Sequence, residues 1–252
     1  MEIQSIILAL GMAGAAGLVG AFALMKKITI GGDVISHVAL PGLGIAFLFH
    51  FNPIVGGAAT LLIGTVLIWH LEKRAGLSTE TAIGVIFAAS VAIGALLTPE
   101  GDIVDALFGG FQSPTPLGFT LGLAAILLII GFIFTFKNQL IIALFSSELA
   151  ATSGINVNRL NLLYLMVFSL TILLGLQFLG ALLVGALIII PAAIGRQLTH
   201  TLNAFLLTSS VASVVSVGLG LLVNYYYGLV LGPTIVSIAT VIFVISLLKK
   251  KQ

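Results

Sequence analysis

Cysteine is absent from the 252-residue chain, and charge nearly so: 10 Lys and Arg with 8 Asp and Glu make up 7% of the residues, against about 25% in an ordinary soluble domain. The missing thiols exclude a disulfide framework, thiolate metal sites, iron–sulfur clusters and c-type haem attachment. The missing charge excludes an ordinary soluble enzyme, a disordered chain and a nucleic-acid binder. The pI is near 9.0, yet the net charge is only +2, too little for a polyanion-binding surface. No lysine stands in a phosphate-binding P-loop, and neither HExxH nor GxSxG occurs, so ATP hydrolysis and intramembrane hydrolysis have no motif here. What fills the chain is apolar: 60% hydrophobic residues and 29 glycines. Runs of about 20 apolar residues, the length a bilayer crossing needs, repeat from end to end. The fold class this predicts is all-α, a polytopic membrane helix bundle.

The spans fall near 3–25, 34–50, 54–71, 79–97, 117–136, 160–177, 179–195, 202–223 and 229–248. Residues 160–195 are broken only at Gln177–Gly180, so the pattern allows about eight or nine crossings. The first run follows Glu2 rather than a basic segment and is longer than a secretory leader, which makes it a first transmembrane helix. With nine spans, Lys26, Lys27, Lys73, Arg74, Lys137, Arg159, Arg196 and Lys249–Lys251 all fall in loops on one side. By the positive-inside rule that side is the cytoplasm, with the C-terminus inside and the N-terminus outside. Ala9, Ala13, Gly17 and Ala21 recur every four residues, as do Ala181 and Gly185; such stripes serve close helix packing within the bundle or a subunit interface.

The stretch GGDVISHVALPGLG, residues 31–44, carries the chemistry. Asp33 and His37 are four apart, so on a helix they share a face one turn apart, where carboxylate and imidazole can hold one divalent cation. Ionisable side chains in a membrane helix are costly and usually face a cavity or pathway. Gly31–Gly32 before the pair and Pro41 after it predict an interrupted helix. The bland alternative is that Asp33 caps a helix and His37 is a hydrogen-bonded packing residue. The loop 98–116 holds Glu100, Asp102 and Asp105 without a basic residue, and reads either as a cation-concentrating mouth or as a plain solvated loop. Segment 137–159 is too polar to cross; it contains a short helical pattern closed by Gly154, suited to a surface helix or a cytoplasmic partner. His50, His70 and His200 sit at span ends, Glu80 suits a helix first turn, and Tyr225–Tyr227 suit an interfacial belt.

Five segments together resemble one family: GGDVISHVALPGLG, TETAIGVIFAAS, SSELAATSGINVNRL, QFLGALLVGALIIIPAAIGRQ and LGPTIV, in that order. Over residues 5 to 248 the chain is similar to the permease subunits of bacterial zinc/manganese/iron ABC importers. The resemblance implies a single permease domain over 1–252 that dimerises in the cytoplasmic membrane, with lipid around it. Its partners would be two cytoplasmic ATPase subunits and an extracytoplasmic metal-binding protein. It also implies that Asp33 and His37 contact the metal, and that Glu148, Ala150 and Gly154 belong to a cytoplasmic coupling helix over 146–157. The chain would then be a transport subunit rather than an enzyme, with no bound cofactor; the transported ion is zinc or manganese, with iron a third candidate. An ATP-independent cation channel or secondary metal carrier is the alternative function, and a non-transporting membrane scaffold a further one. The last four spans contain no further His or carboxylate, so one protomer offers two side-chain ligands. Waters, backbone carbonyls or a second protomer would have to complete the shell.

Overall fold

The computed structural model describes residues 3–97, 114–178 and 181–248. The acidic loop residues Glu100, Asp102 and Asp105, and Lys249–Lys251, lie outside the described residues. The chain begins with α1 (Ile3–Met25). A broken helix follows, made of α2 (Gly31–Ser36), a 3-10 turn (His37–Ala39) and α3 (Leu40–Leu48). Next come α4 (Pro53–Ala75), α5 (Thr79–Leu97), α6 (Pro116–Phe145) and the short α7 (Ser147–Thr152). The last four are α8 (Val157–Phe178), α9 (Ala181–Leu198), α10 (Leu202–Tyr227) and α11 (Leu231–Leu247). Among the described residues seven helical segments are long and apolar enough to cross a membrane, Gly31–Leu48 counted as one, and two shorter apolar helices lie at Leu183–Leu198 and Leu231–Leu247. The ambiguous stretch 160–195 is therefore two helices, α8 and α9.

Local chemistry sets the helix ends. Asn52 accepts the Ile54 N–H at 2.9 Å and Thr115 the Gly118 N–H at 3.1 Å, each followed by a proline that needs no donor at the first helical position. Gly76 and Gly228 close α4 and α10 in the left-handed region, with φ of 63° and 65°. One boundary differs from the sequence reading. α6 runs on to Phe145 rather than ending near 136, because Lys137 reaches Asn203 at the start of α10 (2.9 Å) and so tolerates a position inside the helix.

The bundle is organised around α1, which packs on α6, α8, α9 and α10. Its small-residue stripe faces inward: Gly17 lies on the backbone of Ser209–Ser210 in α10, Gly20 on the Ile188 carbonyl in α9, and Ser210 Oγ donates to the Gly14 carbonyl at 3.1 Å. Ala9, Ala13 and Ala21 are fully buried, so this stripe serves packing within the chain rather than an interface between chains. α3 and α4 cross at a second such contact, Gly42 against Gly56.

Side-chain contacts also sort the helix ends. Lys26 at the end of α1 donates to Asn161 Oδ1 in α8 (2.6 Å); Asn161 donates to Glu72 Oε2 near the end of α4 (2.6 Å), and Thr79 at the start of α5 donates to Glu72 Oε1 (3.0 Å). Trp69 Nε1 donates to the Asn158 carbonyl at 3.0 Å, and Lys73 lies over the Trp69 ring. With the Lys137–Asn203 contact, these bonds gather the basic residues of the first eight helices at one end of the bundle, as the alternation of spans requires.

Candidate metal-binding site

The helix expected to be interrupted is interrupted where expected. α2 stops at Ser36, the chain makes one 3-10 turn, and α3 restarts with Pro41 in its first turn. His37 itself keeps right-handed helical angles (φ −75°, ψ −13°), so Asp33 and His37 retain their one-turn spacing. Asp33 is not a cap. Ile30 holds the N-cap position, and the Asp33 N–H bonds to its carbonyl at 3.1 Å.

Asp33 is exposed and His37 half-buried. Neither the carboxylate nor a ring nitrogen of the imidazole is hydrogen-bonded to any described residue. The imidazole is held by an edge contact with Phe87 of α5, ring centroids 5.7 Å apart at 62°. Ser36 Oγ donates to the Asp33 backbone carbonyl at 2.5 Å, which stiffens the turn between the two residues.

Depth is where the structure departs from the spans read above, in which Asp33 falls in the cytoplasmic-side loop just before 34–50. Val38 packs against Gly64, the midpoint of α4, and Phe87 is next to the midpoint of α5. Gly31 lies beside Phe168 in the middle of α8. The connection after α1 therefore climbs into the bundle before α2 begins, with Ile28 buried and its N–H bonded to the Ala23 carbonyl at 2.9 Å. The pair sits at mid-depth.

Gly185 of α9 is the neighbour that sequence reading missed. A methyl there would come within 2.9 Å of Asp33 Cβ and 3.1 Å of its Cα, so the missing side chain lets α9 press on the backbone carrying the carboxylate. The four-residue spacing from Ala181 marks Gly185 as a packing residue but cannot say which helix it meets. Among the described residues no group of three or more His, Cys, Asp and Glu side chains is assembled. Of the remaining histidines, His50 occupies a left-handed turn (φ 53°) after α3, and His70 and His200 are exposed.

The second candidate region is well formed. Ser146 caps α7 by accepting the Leu149 N–H at 3.2 Å, and Glu148 stands exposed in its first turn. Ala150 is fully buried, anchoring the helix to the bundle. Gly154 takes φ 77°, the Gly154 N–H bonds to the Ala151 carbonyl (3.1 Å) and the Ile155 N–H to the Ala150 carbonyl (2.9 Å), which is a Schellman closure. The expected helix over 146–157 is thus one shorter helix, Ser147–Thr152, with its closing turn.

The family model of the ABC 3 transport family matches residues 2–250. The chain belongs to that family. Within it, the chain is 28% identical to the manganese transport system membrane protein MntC of Listeria innocua, covering 92% of this chain and 84% of that one. It is 29% identical to the high-affinity zinc uptake system membrane protein ZnuB of Haemophilus influenzae, covering 92% and 91%. Among solved structures it is similar to PsaBC from Streptococcus pneumoniae in complex with Fab, with a TM-score of 0.81 and 27% identity over 96% of this chain and 89% of that one.

Proposed function

We propose that this chain is the permease subunit of an ATP-driven importer that carries a divalent transition metal, zinc or manganese with iron a further candidate, into the cytoplasm. The observation that carries the reading is the unbonded Asp33–His37 pair at mid-depth in an interrupted helix. Two ionisable groups without partners inside a membrane bundle are expensive unless a cation meets them. An oxygen and a nitrogen ligand without sulfur suit Mn²⁺, Zn²⁺ and Fe²⁺, and affinity order alone does not choose among them. A shell of two side chains, completed by water, carbonyls or a second protomer, is weak enough to let the ion leave.

The family membership supports partners on both sides of the membrane and a second copy of this chain. Under this reading the basic end of the bundle faces the cytoplasm. There Glu148, Ala150 and Gly154, on α7 and its closing turn, form the coupling segment against an ATPase subunit. A push on α7 reaches the metal pair through α8, which packs on both α7 and α2.

The test is metal uptake in a strain lacking the transporter, complemented by wild type, Asp33→Ala or His37→Ala at equal membrane abundance. Each variant is expected to lower uptake by about 10–100-fold or more, the range seen when a metal's supporting ligands are removed. Unchanged uptake in both rejects the pair as the site. Pull-down of the intact chain from native membranes separates the importer from an ATP-independent carrier: an ATPase recovered in stoichiometric amount supports the importer, and its consistent absence supports the carrier.

A further inference from the structure

At the basic end of the bundle, the ends of α1, α6 and α9 enclose a cavity of about 360 Å³ that the metal pathway does not use. That is the volume of about a dozen waters. Its lining is mostly apolar, from Leu24, Met25, Ile141, Leu144 and Phe145, and carries two cations, Lys27 and Arg196. Among the described residues no acidic side chain lines it.

The two cations differ from several of their neighbours. Lys26 is bonded to Asn161, Lys137 to Asn203, and Lys73 lies over the Trp69 ring. Lys27 and Arg196 are exposed, and no hydrogen bond or ion pair ties their side chains to any described residue. Lys27 also occupies an unusual backbone position. The Lys27 N–H bonds to the Leu24 carbonyl at 3.2 Å and the Ile28 N–H to the Ala23 carbonyl at 2.9 Å, so α1 ends in a Schellman closure with Lys27 at its left-handed residue, φ 61°. Glycine normally takes that place, and in this chain Gly76, Gly154 and Gly228 do so after other helices. A lysine kept there is strained, and such strain persists where a side chain is needed in a fixed direction.

We propose that this cavity binds an anionic phospholipid of the adjoining leaflet, with its phosphate between Lys27 and Arg196 and its upper acyl chain against the wall of α1 and α6. Charge complementarity and the apolar wall together choose this occupant. A protein carboxylate would use the two cations and leave five apolar side chains without a role. A lipid uses both, and α6 leads from the cavity to the surrounding bilayer because most of its surface is not covered by this chain. Basic pockets between transmembrane helices on the cytoplasmic side are suited to anionic head groups. The ends of α1 and α9 present carbonyls, which repel an anion, so the side chains must supply the whole attraction. The inference is independent of the metal site.

The experiment uses the purified full chain, stripped of lipid and titrated with phosphatidylglycerol or phosphatidylcholine under native mass spectrometry. Wild type is expected to retain one phosphatidylglycerol in preference to phosphatidylcholine. Lys27→Gln with Arg196→Gln should lose that preference by about tenfold, on the scale of two phosphate-directed cations, while Lys73→Gln with Arg74→Gln, at the same end but away from the cavity, should keep it. Lys27→Gly guards against misfolding as the explanation, because it relieves the left-handed strain: its melting temperature should hold or rise while the lipid preference falls. Equal retention of the two lipids by wild type overturns the proposal, as does undiminished preference in the Lys27/Arg196 double variant. Inorganic phosphate displacing the bound lipid at equal concentration would also overturn it, by making the cavity a site for free phosphate. So would a double variant that keeps its lipid and loses only a co-purified ATPase.

Discussion

α1 and α6 are alike in hydropathy, with mean values of 2.1 and 2.6, yet 78% of the apolar window of α1 is buried inside the chain and only 22% of that of α6. Hydropathy drives both into lipid and cannot say which one becomes the axis of the bundle. Side-chain size does. α1 offers Gly17 to the backbone of α10 and Gly20 to that of α9, where close approach gives dispersion contacts that lipid tails cannot match. Around Gly131 of α6, by contrast, there is open space. In water the hydrophobic effect would have favoured burying α6; in a bilayer the smoother helix wins the centre.

The sharpest way to break this comparison is to add the same side chain to both helices. A methyl on Gly17 already falls within 2.8 Å of the Ser210 Cα, and backbone cannot yield as a flexible side chain does. Gly17→Leu should therefore cost at least the upper end of the about 1–3 kcal/mol typical of overpacking, seen as loss of monodisperse protein or a large drop in melting temperature. Gly131→Leu should be neutral or stabilising by up to about 1 kcal/mol, since leucine is the better helix former. Equal losses in the two variants would mean that α1 owes its place to something other than close approach.

A second contrast separates two carboxylates. Glu72 accepts from Asn161 and Thr79 and helps hold α4, α5, α8 and the end of α1 together. Asp33 has no hydrogen bond from any described residue to its carboxylate. Glu72→Gln should destabilise by about 2 kcal/mol, the scale of hydrogen bonds to a charged group. Asp33→Asn should leave stability within about 0.5 kcal/mol of wild type. Thermal melts of the two variants in one detergent test whether structural and functional carboxylates have been told apart.

Much of this was readable in the residues. Crossing segments follow from apolar length, and the break between α2 and α3 follows from the glycine pair and Pro41. The stripe on α1 was readable as packing, but its partner was not, because four-residue spacing marks a face and not the helix it meets. The depth of Asp33 was hidden for a similar reason. A hydropathy window places a residue along its own helix, whereas depth here depends on the turn at Lys26–Ile30 climbing into the bundle. The Lys26–Asn161–Glu72 chain was invisible because its members are 135 and 89 residues apart.

A smaller effect is expected at α7, where Gly154 and Gly76 can be set side by side. Both take positive φ, and neither has a neighbour within 4 Å of an added methyl, so alanine costs backbone strain alone. That strain is about 1–2 kcal/mol. Gly154→Ala should speed amide exchange in α7 and the turn after it without altering exchange elsewhere, because α7 is a single short helix held by one cap and one buried alanine. Gly76→Ala, at the end of the long α4, should fray only the last turn. If the two variants spread equally far, α7 is more firmly docked than its contacts imply.

The smallest predicted effect concerns Lys26. Lys26 follows the last residue of α1, and burial holds its pKa below the ordinary 10.5, with the Glu72 carboxylate pulling the other way. Between that lowered value and 10.5 the unfolded chain binds more protons than the folded one, so stability rises with pH across the window. Below it Lys26 is charged in both states and contributes no slope. The wild type should therefore gain on Lys26→Gln as pH is raised from neutral toward 10.5. A wild type that instead loses ground with rising pH would show that attraction to Glu72, together with the Tyr164 ring beneath the ammonium, outweighs burial.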